Sequence, residues 1–358
     1  MIIKIKKPPV YYIWLPVYLY NEPMSLRYFI SFFEIILYLF TFYVVTINLI
    51  TYLKIRMFHR NFIIISIPMF GLWYELILAK LITMAYQLEL IRADIEVKNF
   101  LPMWTDNEEK MLITESTDKL GLLIFAGCIQ WHYMFVTVFG VLTCTIERLI
   151  GCFMIRNYEK NTNPWIPILL TFLHQFLAIL FSFLLITCKI DVISANLTWI
   201  INCSVAAVMY VYVRRRNLKT LRIMESPNRK VHFTVSHRFQ VREVERFAQL
   251  AIRLIFSVLG SITICGTCIV ALILELVPPF LCHFAENCLF LNPLLICFVT
   301  MYSLPAWKQE FRSAFPTFDL KRNKRKIGVI SVEPMDSDKK KIDKETDIYF
   351  EQLNKSWI

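Results

Sequence analysis

The apolar run at residues 120–146 carries two groups of side chains that a purely structural membrane helix does not need. One group lies in its first half: Gln130, Trp131, His132 and Tyr133. The other directly follows its end: Glu147 and Arg148. The first group can hydrogen-bond and stack on a small molecule, whereas an acid–guanidinium pair can join neighbouring helices. At about 1.5 Å per residue, His132 and Arg148 lie roughly 24 Å apart, so we expect one end to sense and the other to signal.

The polar quartet cannot act as one surface, because four consecutive residues point to all sides of a helix. Only one or two of its members can therefore face a central cavity. Trp131 and Tyr133 are also residue types that favour membrane interfaces for physical reasons alone. We treat all four as ligand-binding candidates and leave open which of them faces the cavity.

Charges inside other apolar runs are candidates too, because an unpaired charge is costly in hydrocarbon. Glu75 lies deep in its run, where a ligand contact and a hydrogen bond to a neighbouring helix are both open. Lys80 lies nearer the outer surface, and its long side chain is expected to extend to the headgroups. Glu34 lies near the outer end of the first run and is expected at the interface.

Arg148 is the candidate for a signalling contact. Its predicted partner is Glu147, or else Glu243 or Glu245 ahead of the sixth apolar run. Such a pair would hold two helices together in an inactive state, and its loss would let the sixth helix swing outward. The simpler interpretation is that Arg148 anchors its helix at the positive side of the membrane.

The last apolar run contains Asn292 and Pro293 in its middle. Proline permits a kink and frees a carbonyl, which the preceding asparagine can satisfy. Residues 305–318 follow, with aromatic side chains at four-residue spacing: Trp307, Phe311 and Phe315. This spacing predicts a short amphipathic helix on the inner membrane face.

The composition indicates a membrane protein. The 358 residues are 56% hydrophobic and 19% charged, with a mean hydropathy of +0.50. The apolar runs are continuous rather than alternating, which argues against a β-barrel. We expect the net charge of +11 to serve contact with anionic membrane lipids, and we expect no nucleic acid partner. The cysteines and histidines show no metal-binding spacing, so we expect no metal, no cofactor and no enzymatic activity.

Seven apolar runs are long enough to cross a membrane, which predicts an all-α bundle of seven helices. They occupy residues 29–53, 61–86, 120–146, 165–188, 192–213, 251–277 and 285–304. Residues 1–28 are predicted to lie on the membrane or to cap the bundle. Residues 319–358 are highly charged and are predicted to be a disordered cytoplasmic tail.

The basic residues set the orientation. Four segments on one side of the predicted membrane contain 28 of the 39 Lys and Arg residues, and the opposite side contains eight. Positive loops face the cytoplasm, so we expect an extracellular N-terminus and an intracellular basic segment at residues 214–247. The loop at residues 87–118 carries eight acidic residues, which suits the outer face.

This arrangement resembles a G-protein-coupled receptor: seven spans, an acid–arginine pair ending the third, and Asn-Pro in the seventh. It departs from the rhodopsin-like pattern, because Leu149 follows the pair and Ile296 stands where a tyrosine is expected. Cys128 lies about two turns inside the third span, so a disulfide between Cys128 and Cys188 is left open.

Three stretches resemble the nematode serpentine receptor class epsilon family of chemosensory receptors: IWLPVYLYN, ERLIGCFMIRNYEKNTNPWIP and NPLLICFVTMYSLPAW. The resemblance implies a plasma-membrane receptor of sensory neurons that binds a small-molecule cue and acts through a heterotrimeric G protein. The signalling role then falls on Arg148, Asn292 and Pro293. The alternative from another class is an odorant-gated seven-helix cation channel, whose inverted topology the charge distribution disfavours.

Overall fold

Seven membrane-crossing helices form the body of the protein. The computed structural model describes residues 1–6, 9–19, 21–55, 57–58, 60–91, 100–153, 165–225 and 235–315. The helices within these ranges are α1 (Met24–Lys54), α2 (Arg60–Gln87), α3 (Gly121–Phe153), α4 (Trp165–Ile186), α5 (Val192–Glu225), α6 (Val235–Ile273), α7 (Cys282–Phe290), α8 (Asn292–Ser303) and α9 (Pro305–Ser313). The first six cross the membrane singly, and Pro279–Ser303, which contains α7 and α8, makes the seventh crossing. The predicted seven-helix fold class is therefore confirmed.

Each predicted apolar run overlaps one of these helices, but α5 and α6 extend well beyond their runs. The extra turns are rich in Arg, Leu and Glu. These residues favour helix by intrinsic propensity, so the helices can continue outside the hydrocarbon. An apolar run reports the length of chain inside the membrane, not the length of the helix. The predicted disordered tail at residues 319–358 lies outside the described residues.

A small sheet covers one end of the bundle, which we call the sheet end. Strand β1 (Ile2–Ile5) pairs antiparallel with β2 (Tyr11–Trp14) and parallel with β3 (Leu112–Thr114). The indole of Trp14 packs against the rings of Trp104 and Trp131, with ring centroids 4.6 and 4.9 Å away. Of the two locations predicted for the N-terminal segment, the structure shows the one over the end of the bundle. We call the described residues of 1–22, together with β3, the cap.

Helix α3 is the most buried of the spans and packs against α2, α4 and α5. Leu15 of the cap rests directly on Gly127 of α3, where an added Cβ would lie 2.5 Å from the Leu15 Cδ2 atom. A larger residue at position 127 would force the Leu15 side chain to shift, so the glycine lets the cap approach α3 this closely. The cap is thereby seated on the helix that runs through the centre of the bundle.

Helix α9 packs under the opposite end, which we call the arginine end because it contains Arg148. The side chains of Trp307 and Phe311 are fully buried, and the Trp307 indole donates to the Ile55 carbonyl at 3.0 Å. Glu310 pairs with Lys54 at 2.5 Å, which ties α9 to the end of α1. The predicted amphipathic helix is present, and its aromatic face turns inward against the bundle.

Replacing Trp307 by alanine should remove a fully buried indole and its hydrogen bond, and large-to-alanine changes of this kind cost about 3–5 kcal/mol. The midpoint of thermal unfolding should fall clearly, measured with a thiol-reactive dye that reports exposure of buried cysteines such as Cys297. The control is Phe256→Ala, because Phe256 is largely exposed on α6 and its loss should shift the midpoint little. Equal midpoints for the two variants would contradict a packed α9.

Candidate functional site

Three charged side chains meet at the arginine end, where α3 contacts α6. Arg148 donates to Glu147 through Nε at 2.5 Å and through one terminal nitrogen at 2.8 Å. Its other terminal nitrogen donates to Glu243 Oε1 at 2.6 Å. All three side chains are buried, so this charge-assisted contact joins α3 to α6 away from water. We call it the Arg148 cluster.

Two aromatic rings enclose the guanidinium. It lies 5.1 Å from the ring centroid of Phe62 on α2 and 5.9 Å from that of Phe247 on α6. The two rings also contact each other edge to face, with centroids 5.5 Å apart. Their faces favour a cation and exclude water, which strengthens the ion pairs beneath them.

Glu243, rather than Glu245, is the carboxylate on α6 that Arg148 contacts. The two residues lie two positions apart on the helix, so their side chains point about 200° apart. Glu245 is half-buried, and its Oε2 atom has no hydrogen-bond partner among the described residues. The sequence alone could not choose between them because the rotation of α6 is set by packing.

The seventh crossing breaks at the predicted place. Helix α7 ends at Phe290, and α8 begins at Asn292 with Pro293 in its first turn. The backbone N–H groups of a first turn have no partner within the helix, so the missing N–H of proline costs no hydrogen bond there. The Asn292 Oδ1 atom is buried and has no hydrogen-bond partner within the described part of the chain. The break gives this crossing two helical segments that meet at Leu291.

The polar quartet of α3 separates onto different sides of the helix, as helical geometry requires. Gln130 donates to Thr83 of α2 at 3.3 Å, and the Trp131 indole donates to the Trp14 carbonyl at 3.0 Å. Tyr133 is buried in the bundle interior, with its hydroxyl unpartnered among the described residues. Trp131 thus holds the cap, whereas Gln130 and Tyr133 face into the bundle.

His132 points to a different surface, between α2 and α4. Among the described residues, the charge of Glu75 on α2 and the side chain of Gln175 on α4 act on the His132 ring. Glu75 is exposed on the bundle surface rather than buried between helices. Of the ligand candidates, Glu75 is therefore the one whose charge acts on His132.

A second ion cluster, near the sheet end, was missed by the sequence analysis. Lys80 of α2 is fully buried, and its ammonium lies 2.9 Å from Glu286 of α7 and 3.7 Å from Glu34 of α1. The expectations that Lys80 extends to the headgroups and that Glu34 is interfacial were wrong. Both side chains turn inward because each neutralises the other within hydrocarbon. Glu286, at the start of the predicted seventh run, was the available signal.

This cluster continues into the cap. The Glu22 Oε1 atom accepts a hydrogen bond from His283 Nε2 at 2.9 Å, and it pairs with the Nε atom of Arg27 at 3.4 Å. Arg27 also donates to the Gln87 carbonyl at 2.6 Å. Asn287 donates to Glu34. The chain segment before α1, together with α1, α2 and α7, is therefore joined by buried polar contacts.

Cys128 and Cys188 are both free thiols, so the disulfide left open above is not formed in this structure. Burial raises the pKa of the Cys188 thiol to about 11, which leaves little of the reactive thiolate at neutral pH. Among the described residues, no group of three or more His, Cys, Asp and Glu side chains could hold a metal ion.

Comparison with known proteins identifies the family of this seven-helix chain. A profile of the Sre G protein-coupled chemoreceptor family matches residues 1–358. This chain belongs to the Sre family. Serpentine receptor class epsilon-27 of Caenorhabditis elegans is 47% identical over 350 residues, which cover 97% of this chain and 96% of that protein. Class epsilon-29 of the same nematode is 43% identical over 359 residues and the full length of both chains.

Membership of the Sre family makes this chain a multi-pass membrane protein of a receptor family. The family resemblance stated from the sequence is therefore confirmed. The first quoted stretch belongs to the cap apart from residue 20, and the third spans α8 and the start of α9. Of the second, residues 147–153 end α3 and residues 165–167 begin α4, and the residues between them lie outside the described part of the chain.

Replacing Lys80 by methionine should leave Glu34 and Glu286 facing each other in hydrocarbon without their shared cation. Breaking a buried ion pair in this way costs about 3–5 kcal/mol, so the midpoint of thermal unfolding should fall markedly. Lys54→Met is the matched control, because the Lys54–Glu310 pair is largely exposed and worth at most about 1 kcal/mol.

The double variant Lys80→Met, Glu286→Leu should recover much of the lost stability, since it removes the uncompensated carboxylate together with its partner. If Lys80→Met unfolded at the temperature of the unmodified protein, the buried cluster would not be a structural element of the bundle.

Proposed function

We propose that this Sre protein is a chemosensory receptor that binds a small-molecule cue from outside the cell and activates a heterotrimeric G protein inside. The observation that carries the proposal is the Arg148 cluster, in which a buried contact between Arg148 and Glu243 joins α3 to α6. A receptor needs a structural element with two conformations. The ion pair between α3 and α6 can be made or broken, so it can hold α6 in one conformation and release it in the other. The membership of this chain in a family of G protein-coupled chemoreceptors supports the same role.

The proposed orientation puts the sheet end outside and the arginine end inside the cell, at the plasma membrane of sensory neurons. It is supported by the excess of Lys and Arg on the segments at the arginine end. The same basic residues would contact anionic lipids of the inner leaflet. A G protein would then approach the ends of α3, α5 and α6, with no cofactor and no nucleic acid involved.

Activation would separate α6 from α3 at the arginine end. Besides the Arg148 cluster, Arg253 of α6 donates to the Ser303 carbonyl at the end of α8 at 2.9 Å. Asn217 of α5 donates to the Val241 carbonyl of α6 at 3.0 Å. Helix α6 thus makes polar contacts with α3, α5 and α8 near the arginine end, and the break at Asn292–Pro293 gives α8 freedom to follow it.

The cue would act at Glu75 of α2 and His132 of α3, and α3 also carries Arg148 of the signalling contact. His132 stands four and a half turns before Arg148 on α3. A ligand that shifts α3 against α4 at His132 would therefore act on the helix whose Arg148 contacts Glu243 of α6. Gln130, Trp131 and Tyr133 would serve this function indirectly, by fixing α3 against α2, the cap and the interior.

Replacing Glu243 by glutamine should raise basal nucleotide exchange on the G protein, because the contact that holds α6 loses its charge while the side-chain shape is kept. Coupling energies of 1–3 kcal/mol correspond to roughly 5–150-fold, so we expect an increase of about fivefold or more. The assay is exchange on purified G protein with the receptor in lipid nanodiscs.

Glu245→Gln is the matched control. It removes the same charge from α6 at a carboxylate that lies two residues from Glu243 and does not contact Arg148. Basal exchange should therefore stay within about twofold. Equal increases for both variants would show that the charge of α6, rather than the Arg148–Glu243 contact, sets the basal rate.

An epitope placed before Met1 should be accessible to antibody on intact cells, and one placed after Ile358 should become accessible only after permeabilisation. This outcome follows from the excess of basic residues at the arginine end. The reverse pattern would exclude the proposed orientation and favour the channel-like topology.

A further inference from the structure

We infer that Arg253 of α6, with Lys308 and Arg312 of α9, forms a binding site for a membrane lipid whose headgroup is a phosphate monoester. The site lies at the arginine end, on the exposed surface beside Tyr302 of α8. The inference goes beyond the proposed function, because it assigns a lipid ligand to residues that belong neither to the Arg148 cluster nor to the proposed cue site.

The three cationic side chains surround one residue, Tyr302, near the end of α8. The guanidinium of Arg253 donates to the Tyr302 carbonyl at 3.3 Å and to the Ser303 carbonyl at 2.9 Å. The Lys308 Nζ atom lies 5.7 Å from the centroid of the Tyr302 ring, and the Arg312 Cζ atom lies 5.3 Å from it. Two helices that are distant in the chain therefore bring three positive charges to one place.

Among the described residues, none of these three cations has a carboxylate partner. The acidic residue of α9, Glu310, pairs with Lys54 of α1 instead. It lies two positions from both Lys308 and Arg312, so its side chain points about 200° away from theirs on the helix. Like charges held close together repel one another, so a bound anion would stabilise this arrangement.

The cations also keep hydrogen-bond donors for such an anion. Arg253 uses one terminal nitrogen for the two carbonyls at the end of α8, which leaves its Nε and its other terminal nitrogen without a partner in the described part of the chain. Lys308 and Arg312 lie over the ring of Tyr302, a contact that acts on their charge. Arg253 and Arg312 are exposed and Lys308 is half-buried, so a ligand can reach all three.

The site stands at the level where the seventh crossing ends. Ser303 is the last residue of that crossing, and its carbonyl accepts from Arg253. Toward the sheet end, the same face of α6 presents the exposed side chains of Phe256 and Ile264. A molecule bound here would meet cations at one end and apolar surface beside them. A lipid matches both, with its phosphate on the cations and its acyl chains along α6.

A phosphate monoester fits the three cations better than other common lipid headgroups. It carries between about one and two negative charges near neutral pH and three oxygen atoms that accept hydrogen bonds. The two guanidinium groups can each bind phosphate oxygens through paired N–H donors, and the Lys308 ammonium adds a point charge. Phosphatidylserine has a single net negative charge, and phosphatidylcholine has none and brings a cation of its own.

The test compares phosphatidic acid, phosphatidylserine and phosphatidylcholine with identical acyl chains. The purified protein in a neutral detergent receives equal amounts of the three lipids, and native mass spectrometry counts the molecules of each lipid that stay bound. We expect phosphatidic acid to be bound at least about fivefold more than phosphatidylserine. This is the contribution expected from one additional pairing between a lipid charge and a Lys or Arg near the membrane surface.

The double variant Lys308→Gln, Arg312→Gln should lower the binding of phosphatidic acid at least about tenfold, because it removes two of the three charges. Neither side chain is buried, so the variant should fold. The matched control is Arg216→Gln on α5. Arg216 is also an exposed arginine over an aromatic ring at the arginine end, 4.5 Å from the ring centroid of Phe153, and its loss should leave the binding unchanged.

Equal binding of phosphatidic acid and phosphatidylserine would overturn the inference, as would equal losses of phosphatidic acid in the double variant and in Arg216→Gln. Either result would mean that basic residues attract anionic lipids without a defined site. Full displacement of phosphatidic acid by an equal concentration of glycerol 3-phosphate, which has the headgroup without acyl chains, would exclude a lipid as the ligand.

Discussion

A buried charge inside the hydrocarbon is costly unless a partner neutralises it, and two pairings of this kind join helices of the bundle. Lys80 brings α1, α2 and α7 together near the sheet end because it needs both Glu34 and Glu286. Arg148 brings α3 and α6 together at the arginine end. In both clusters the partners on other helices are distant in the chain, so the charges help to decide which helix faces meet.

The two ends of the bundle are held by different kinds of contact. At the sheet end, three tryptophans and a network of buried polar contacts join the cap to several helices. At the arginine end, the buried Arg148–Glu243 pair joins α3 to α6, and Asn217 and Tyr210 of α5 donate to carbonyls of α6. Helix α3 belongs to both ends, since Trp131 contacts the cap and Arg148 contacts α6.

Much of this architecture could be predicted from the sequence. Continuous apolar runs predict membrane helices because the bilayer sets their length, and the break at Asn292–Pro293 follows from the backbone chemistry of proline. The parallel pairing of β1 with β3 could not be predicted, because more than a hundred residues separate the two strands. Lys80 was misplaced for a related reason: its distance from the helix end is local information, whereas its two carboxylate partners are not.

The sequence by itself determined the number of membrane crossings, the family, and the presence of an arginine with an acidic partner at the end of the third helix. These depend on hydropathy, motif and immediate neighbours, which are properties of short stretches. The tertiary structure alone decided that Glu243 rather than Glu245 contacts Arg148, that Lys80 is buried, and that Glu75 faces the membrane. Each of these depends on the rotation of a helix about its own axis, and that rotation is set by packing against helices far away in the chain.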